Sequence, residues 1–241
     1  MEKAYKLLAS QYDISNQKAK KLCDQGVVYA GNDKIKIARA MLSENTKLSV
    51  LQVQEPIIIF EDENIIAINK PPFMNSEDCL KKVNGAELIH RLDKETSGVL
   101  LFSKTEAFLK QAIMEFKSRR VYKEYQAIVF GVMQEEQTIN MPLLSIKRNN
   151  QITTSVSPKG RDAITMIEPI EIIGKKTKLK VIIKTGRSHQ IRVHLAHIGY
   201  PVVGDEQYGN ISRARRVMLH AYKIKLLDYE FEAKTGETFG F

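Results

Sequence analysis

The pattern of the sequence changes at Glu55-Pro56, and this change limits the possible fold more than any other feature. Helical patterns and lysines dominate before it, and short runs of aliphatic and β-branched residues dominate after it. Proline has no amide hydrogen for a strand ladder and favours extended backbone in the residue before it. A chain of 241 residues has room for one medium domain and one small one. We therefore predict two domains, residues 1–54 and residues 55–241.

The first segment predicts a small α/β domain, with two helices followed by a small sheet. Ser15 is a favourable N-cap for the second helix, and Gly26 ends that helix. A strand, a turn and a strand follow in residues 27–35, with a further strand in residues 47–51. The polar sides of the second helix carry Lys18, Lys20 and Lys21. Such a face suits RNA, although any small domain with a solvated lysine face has the same pattern.

The second segment predicts an α+β fold, a mixed, mainly antiparallel sheet with flanking helices. Helical patterns are few and lie over Glu106–Lys117 and around His194–Ile198. Short β-rich runs predict the strands Ile57–Phe60, Ile65–Ile68, Val99–Phe102, Tyr125–Val129, Lys178–Lys184 and Val217–Leu219. Residues 134–176 match little beyond strand patterns, and no function is assigned to them.

The charge balance favours a polyanionic partner, most often a nucleic acid. Lysine and arginine outnumber aspartate and glutamate by 37 to 28, which gives a net charge of +9. A cytosolic protein that is basic for less specific reasons is the alternative. No window nears the ~18 apolar residues of a membrane span, and the N-terminus lacks a secretory signal. Cys23 and Cys79 are too few for a disulfide scaffold or a cysteine zinc site, so we expect a cytoplasmic protein.

One stretch that carries chemistry is His90–Gly98, which precedes the apolar strand Val99–Phe102. It places Asp93 in a loop on a rigid scaffold, where reactive groups commonly lie. Arg91 and Lys94 flank Asp93 and favour its ionised form, which suits a nucleophile or a general base. On residue types alone, a turn-capping aspartate with a surface ion pair is the better interpretation.

A second stretch, Thr185–Leu195, contains two arginines and two histidines within a few residues. Arg187 and Arg192 can bind phosphate or hold a carboxylate with two hydrogen bonds. A basic solvent-facing turn is the alternative, and the interleaved aliphatic residues argue against it. A metal site at the nearby histidines is not expected, because the arginines would repel a cation and no carboxylate lies close by. Those histidines are His189, His194 and His197.

The third stretch covers residues 120–127 and is typical of a strand. Alternation places Val121, Lys123 and Tyr125 on one face. A rigid tyrosine ring stacks well on a planar base, so Tyr125 is a candidate for holding a flipped nucleotide. The alternative is an ordinary core tyrosine.

Six blocks of this chain together resemble the RluA-type pseudouridine synthase family, and they occur in the family's order. They span residues 65–225, about two thirds of the chain. The blocks are Asn69-Lys70-Pro71, His90–Gly98, Arg120 with Lys123 and Tyr125, Thr185–His194, Gly199–Gly209, and Leu219-His220-Ala221. Residues 1–54 resemble, in part, the S4-like RNA-binding domain through Gly26, Val28, Gly31 and Asn32.

This resemblance implies an isomerase that converts uridine in RNA to pseudouridine, with no cofactor and no metal. The family's catalytic set falls on Asp93, Tyr125 and Arg192: the aspartate reacts, the tyrosine stacks on the base, and the arginine pairs with the aspartate. The implied substrate-binding residues are Arg91, Leu219, Arg187, Lys70 and Lys123. Among them, Arg91 fills the gap left by the flipped nucleotide, and Leu219 forms an apolar wall over the uracil.

Elementary chemistry agrees with this catalytic set. The glycosidic bond of a stacked uridine is hidden, so the enzyme must flip the base out, at a cost of a few kcal/mol. Stacking on Tyr125 and filling by Arg91 offset that cost. Asp93 must be both ionised and dry, a conflict that pairing with Arg192 resolves. The carboxylate either adds to uracil C6 or helps to expel uracil, and the residues leave both routes open.

Neighbouring residues in these blocks predict lesser roles. Asp205 is typical of a residue that ties its own loop, and we expect Lys94 and Glu95 to face solvent. The segment Pro72–Ser76 departs from the family's usual loop, which favours an unusual choice of substrate.

We expect large-subunit ribosomal RNA as the substrate, with transfer RNA as the alternative, and a monomer as the default state. A non-catalytic RNA-binding or ribosome-assembly protein is the second hypothesis. A metal-dependent nuclease would need clustered carboxylates, which the sequence lacks.

Overall fold

The chain divides into two compact units, Met1–Glu55 and Pro56–Phe241. This division falls one residue after the boundary that the sequence predicts. The structure is a computed structural model that describes residues 1–148, 151–209, 214–236 and 238–240. No helix in these ranges is long and apolar enough to cross a membrane.

In the first unit, two helices pack on short strands. The Ser15 hydroxyl caps the second helix by accepting a hydrogen bond from the Lys18 amide (3.2 Å), and Gly26 ends it in the left-handed conformation (φ 74°). The elements are β1 (Glu2–Lys3), α1 (Ala4–Tyr12), α2 (Asn16–Gln25), β2 (Val28–Ala30), β3 (Asp33–Lys34), β4 (Met41–Leu42) and β5 (Leu48–Val50). Strand β2 lies between β3 and β5, and β1 pairs with β4.

The second unit is built on one large sheet. Its elements are β6 (Ile57–Glu61), β7 (Ile65–Lys70), a 3-10 helix (Ser76–Lys82), β8 (Glu87–Leu88), β9 (Ser97–Ser103), α3 (Glu106–Lys117), β10 (Tyr122–Phe130), β11 (Gln137–Asn140), β12 (Leu143–Arg148), β13 (Gln151–Val156), β14 (Ile164–Ile173), β15 (Lys176–Ile183), α4 (Gln190–His197), β16 (Leu219–Leu226) and β17 (Tyr229–Glu232).

The order of strands in this sheet is β11-β14-β15-β10-β16-β9-β7-β6, with β17 beside β16 and β8 beside β9. Strands β12 and β13 form a separate hairpin. Every pairing in the large sheet is antiparallel among the described residues, except that of β9 with β16, which is parallel. The structure thus confirms the predicted α+β fold with a mixed, mainly antiparallel sheet.

Apolar faces join the helices to this sheet. Phe108 and Ala112 of α3 pack in a cluster with side chains of β7, β9, β16 and β17. Ile191 and Leu195 of α4 pack in another cluster with side chains of β10 and β15. Helix α4 is therefore anchored through its apolar face, and this anchoring holds the polar residues at its start in place.

Helix α4 and strand β16 differ most from their predicted extent, and the other predicted strands begin or end within about three residues of the predicted bounds. Helix α4 begins at Gln190, earlier than predicted, because His189 starts it in the left-handed conformation (φ 56°) without a side-chain cap that the sequence would reveal. The strand predicted over Val217–Leu219 is wrong in extent, since β16 begins at Leu219 and continues to Leu226. The rest of β16 contains lysines that pair with glutamates of β17. These charged residues interrupt the apolar run from which the sequence predicts a strand.

Gly98 permits the parallel contact between β9 and β16. It has φ 117°, and a Cβ atom at this position would lie 2.1 Å from the Ala221 carbonyl oxygen. Any other residue would push these strands apart. The glycine therefore sets how closely the start of β9, and the loop before it, approaches the centre of the sheet.

Candidate active site

Backbone hydrogen bonds tie down the loop that carries Asp93. The Ser76 hydroxyl accepts from the Leu92 amide (3.0 Å) and donates to the Leu92 carbonyl (3.1 Å). The Thr96 amide donates to the Asp93 carbonyl (3.1 Å) and closes a turn. The Asp93 side chain is 25% exposed. A rigid loop therefore presents this carboxylate at a partly open position.

Lys70 ends β7 below the same loop, and its predicted contact with substrate needs correction. The residue is 0% exposed. Its ammonium donates to the carbonyls of Pro71 (2.9 Å), Met74 (2.8 Å) and Lys94 (3.4 Å). Three carbonyls use all three ammonium hydrogens, so none is left for RNA. Lys70 acts inside the fold and joins the segment after β7 to the loop of Asp93.

Arg192 lies on α4 and is held by Asp205. Its Nε and Nη2 donate to the two oxygens of the Asp205 carboxylate (2.6 and 2.8 Å), and the two side chains are 3% and 0% exposed. Burial disfavours the charge, but the hydrogen bonds to Asp205 and the negative charges of Asp205, Asp93 and Glu95 together outweigh burial and raise the pKa of Arg192 above its ordinary value. Asp205 also accepts from the amides of Gln207 (3.0 Å) and Tyr208 (3.2 Å), which ties its own loop.

The remaining guanidinium nitrogen of Arg192 faces two other carboxylates. Nη1 is buried and has no hydrogen-bond partner among the described residues. It lies 3.6 Å from Asp93 Oδ2 and 3.6 Å from Glu95 Oε2. The structure thus brings Asp93 and Arg192 together, with Glu95 as a third member. Glu95 was expected to face solvent; its side chain is 38% exposed, and its Oε2 nevertheless approaches this buried nitrogen.

Tyr125 lies on β10 at the centre of the sheet, opposite Val181 of β15 and Ala221 of β16. Its side chain packs against two apolar clusters. Burial, and after it the negative charge of Asp93, raises the pKa of the Tyr125 phenol above its ordinary value. The ring is therefore a neutral aromatic surface next to the carboxylate.

Leu219 faces the same side of the sheet as Tyr125. It pairs with Ala127, two residues after Tyr125, and successive residues of a strand alternate between faces. Leu219 is 3% exposed and belongs to the core cluster that the tyrosine borders. The structure places it as a packed neighbour of the ring with little open surface.

Arg91 lies away from the carboxylates of the site. Its side chain is 72% exposed, and its Nε lies 2.9 Å from Glu77 Oε1 of the 3-10 helix. A long, exposed cation next to the loop of Asp93 is free to move toward a ligand.

Arg187 and Lys123 lie in a separate group of positive charges. The Arg187 Nε donates to the Asp162 carbonyl (2.9 Å), and Arg119 Nη2 lies 3.7 Å from Asp162 Oδ2. Burial lowers the pKa of Lys123 to about 8, and the charge of Arg187 adds to this shift. Arg161 and Arg119 likewise act, after burial, to lower the pKa of Arg187. Such crowded cations favour an anion such as phosphate.

His189 also belongs to the site, although at the sequence level it was considered only as a metal ligand. Its Nε2 lies 3.9 Å from Asp93 Oδ1, and its Nδ1 lies 2.7 Å from the Tyr208 hydroxyl. The Tyr208 ring lies beneath the Arg192 guanidinium, with 5.2 Å between Cζ and the ring centroid. A signal was present, because His189 and Tyr208 both belong to the blocks that carry the resemblance.

His194, on the buried face of α4, makes hydrogen bonds that stabilise the fold. His194 uses Nδ1 with the Thr165 hydroxyl (2.9 Å) and Nε2 with the Met141 carbonyl (3.0 Å). Within the described ranges, no group of three potential metal-binding side chains (His, Cys, Asp or Glu) is positioned to hold a metal ion.

Comparisons with known proteins agree with this geometry. Residues 64–197 match the RNA pseudouridylate synthase family. The chain is 54% identical over 241 residues to an uncharacterized RNA pseudouridine synthase of Helicobacter pylori J99, with 99% of both chains covered. It is 27% identical over 252 residues to ribosomal large subunit pseudouridine synthase D of Pasteurella multocida, with 92% of this chain and 77% of that protein covered.

A solved structure is similar as well. Human RNA pseudouridylate synthase domain containing 1 superposes with a TM-score of 0.66 and 27% identity, over 76% of this chain and 84% of the human one. The family match covers more than half of the chain, and the full-length relative shares more than half of its residues. The chain therefore belongs to the RNA pseudouridylate synthase family and is an isomerase that forms pseudouridine in RNA.

Proposed function

We propose that this enzyme isomerises uridines in large-subunit ribosomal RNA, with Asp93 as the catalytic carboxylate. The observation that carries the assignment of Asp93 is its 3.6 Å approach to the buried Nη1 of Arg192. An arginine that is already fixed by Asp205 keeps its charge and its orientation. It can therefore keep Asp93 ionised when a bound base excludes water from the loop.

Tyr125 is proposed to stack on the flipped uracil. A neutral ring beside the carboxylate offers a planar surface, and base–aromatic stacking contributes about 1–3 kcal/mol toward the cost of flipping. The exposed Arg91 is the candidate for filling the vacated stack. The same geometry supports attack of Asp93 on uracil C6 and assistance in expelling the base.

The ribosomal substrate is favoured by charge and by the relatives. The net charge of +9 suits a large folded RNA. The similar Pasteurella multocida protein is a ribosomal large subunit pseudouridine synthase, and the similarity covers 92% of this chain. Transfer RNA is the alternative. Mapping pseudouridines in ribosomal and transfer RNA from cells that lack this protein decides between them.

The first unit is proposed to be an S4-like RNA-binding domain. Its second helix is capped by Ser15, and Lys18 and Lys21 are exposed on that helix. Lys20 lies over the Tyr5 ring, 4.6 Å from its centroid. These lysines are suited to bind RNA phosphates and would increase affinity for a large RNA without reading its sequence. The enzyme is proposed to act as a cytoplasmic monomer, which light scattering of the purified protein tests.

Replacing Asp93 tests the proposed chemistry. Asp93→Asn keeps the shape of the side chain and removes its charge, so we expect no detectable pseudouridine with RNA binding unchanged. Product is measured by nucleoside mass spectrometry after carbodiimide labelling, with EDTA present throughout. The matched control is Asp78→Asn on the 3-10 helix, which should retain full activity. Turnover by Asp93→Asn at the wild-type rate would overturn the assignment.

A further inference from the structure

We propose that His189 is a positioning residue that orients the Asp93 carboxylate through its Nε2–H, and that the Tyr208 hydroxyl selects the tautomer required for this. The proposal rests on the catalytic role of Asp93 proposed above. His189 and Tyr208 have no proposed role in stacking on the base, in base flipping or in neutralising the charge of Asp93, and this proposal assigns a role to both.

The direction of the hydrogen bonds around Tyr208 sets the histidine tautomer. The Tyr208 hydroxyl accepts from the Thr154 amide (3.0 Å), which can only donate. Its own hydrogen is then available for His189 Nδ1 at 2.7 Å. When the Tyr208 hydroxyl accepts from Thr154 and donates to His189, Nδ1 of His189 is the acceptor. A neutral imidazole with an accepting Nδ1 carries its hydrogen on Nε2.

That hydrogen points toward the reacting group. Nε2 lies 3.9 Å from Asp93 Oδ1, whereas Arg192 Nη1 lies 3.6 Å from Asp93 Oδ2. Each carboxylate oxygen thus has a different donor group nearby, and hydrogen bonds from these two groups would define the plane of the carboxylate. Both distances exceed hydrogen-bond length, as is common before substrate binds, and they can shorten when the base displaces water.

The charge state of His189 fits a donor rather than a second cation. Burial lowers the pKa of His189; Asp93 opposes the shift and Arg192 adds to it. A neutral ring therefore supplies directionality, while Arg192 supplies the positive charge.

The backbone of His189 supports a functional role. Its φ of 56° lies in the left-handed region, which costs energy for a residue with a side chain. The flanking turn enforces this conformation. The Gln190 side-chain oxygen accepts from the Arg187 amide (3.1 Å) and the Thr185 hydroxyl (2.8 Å), and the Gln190 side-chain nitrogen Nε2 donates to the Ile164 carbonyl (3.0 Å). Because the turn holds His189 on both sides, the imidazole ring has one fixed position.

The Thr154 amide extends this chain of contacts to the hairpin of β12 and β13. The hairpin lies in the segment 134–176, to which the sequence assigned no function. In the structure the hairpin supplies the backbone amide that fixes the orientation of the Tyr208 hydroxyl. The Gln207 side-chain amide adds a second tie to the Ile152 carbonyl (3.0 Å).

The pH dependence of the reaction gives a readout that a packing role would not change. Charged or titratable groups of several neighbouring elements surround Asp93. They are His189 at the N-cap of α4, Arg192 of α4, Glu95 of its own loop, Lys70 of β7, Tyr125 of β10 and, beyond Arg192, Asp205. Loss of a donor to the reacting carboxylate shifts the acid limb of the single-turnover rate, whereas loss of a packing contact leaves it in place.

Three variants test the proposal at saturating RNA. His189→Ala should lower the single-turnover rate about 10- to 100-fold, the range for losing one hydrogen bond to a charged group. His189→Gln keeps a donor near the position of Nε2 and should restore most of the rate and the wild-type acid limb. Tyr208→Phe keeps the ring beneath Arg192 and removes only the hydroxyl. It should lower the rate about threefold to tenfold, because it frees the tautomer without removing the histidine.

Controls separate this role from stability and from the proposed chemistry. His197→Ala, on the exposed face of α4, should match the wild type, and RNA affinity should be unchanged in His189→Gln and Tyr208→Phe. Tm should be unchanged in His189→Gln, whereas Tyr208→Phe leaves the buried Thr154 amide without its acceptor and should lower Tm. Equal rates and acid limbs in His189→Ala and the wild type, while Asp93→Asn is inactive, would overturn this proposal alone. Equal impairment of the alanine and glutamine variants would also overturn it. An active Asp93→Asn would instead refute the proposed role of Asp93.

Discussion

Two buried cations on either side of the Asp93 loop, Arg192 and Lys70, have opposite surroundings. Arg192 is surrounded by carboxylates, and its pKa is raised. Lys70 is surrounded by backbone carbonyls, and burial lowers its pKa to about 8. Both residues belong to the blocks that carry the family resemblance. The sequence therefore does not show that one of them pairs with carboxylates and the other with backbone carbonyls.

Their hydrogen-bond donors distinguish the two cations. Arg192 uses Nε and Nη2 on Asp205, and its Nη1 faces the carboxylates of Asp93 and Glu95. Lys70 uses all three of its hydrogens on backbone carbonyls. Burial by itself thus does not identify a functional cation. A buried donor that remains unpaired, aimed at a partly exposed acid, does.

The largest expected effect comes from Arg192→Met. It leaves Asp205 as an uncompensated buried charge, which costs about 3–5 kcal/mol of folding free energy, and it removes the cation that faces Asp93. We expect a low Tm, reduced stability in urea titrations and no detectable pseudouridine. Arg91→Met is the control, and its exposed position predicts a stability change within about 0.5 kcal/mol. Wild-type stability for Arg192→Met would contradict the pairing with Asp205.

Lys70→Met should have an intermediate effect. It leaves three carbonyls without their donor, at a cost of about 1–3 kcal/mol, and loosens the loop of Asp93. We expect the rate to fall about tenfold with RNA affinity unchanged, since Lys70 does not reach the substrate. A fall in affinity without a loss of stability would restore the original assignment of Lys70 to substrate binding.

The same variant has a characteristic pH dependence. Between the folded value of about 8 and the ordinary value of 10.5, the unfolded chain binds more protons at Lys70 than the folded chain does. The stability of the wild type relative to Lys70→Met should therefore rise over this pH window, by about 1–3 kcal/mol. Urea titrations at several pH values measure the difference. A flat difference would show that the ammonium is not buried.

Glu95→Gln should have the smallest effect. It removes the second carboxylate near Arg192 Nη1 and leaves this nitrogen to Asp93. With one fewer negative charge nearby, the acid limb of the rate should move to lower pH, while the rate at neutral pH stays within about fivefold of the wild type. Glu77→Gln, at the ion pair with Arg91, is the matched control. A loss beyond a hundredfold would place Glu95 in the chemistry itself.

Much of this architecture was accessible from local signals. Helix α3 has its predicted bounds, and the caps at Ser15 and Gly26 act as predicted, because capping depends on residues adjacent in the chain. The start of α4 was missed because His189 adopts a left-handed conformation that the surrounding turn imposes.

The sequence by itself determined the α+β class, the change of character near Pro56 and the family to which the chain belongs. These depend on local patterns and short motifs. Only the tertiary structure decided which partner each buried charge has: Asp205 and the acids of the Asp93 loop for Arg192, and carbonyls for Lys70. The physical reason is that hydrogen bonding between residues far apart in the chain depends on strand order and on the approach that Gly98 allows. None of these is encoded in the spacing of residues along the chain.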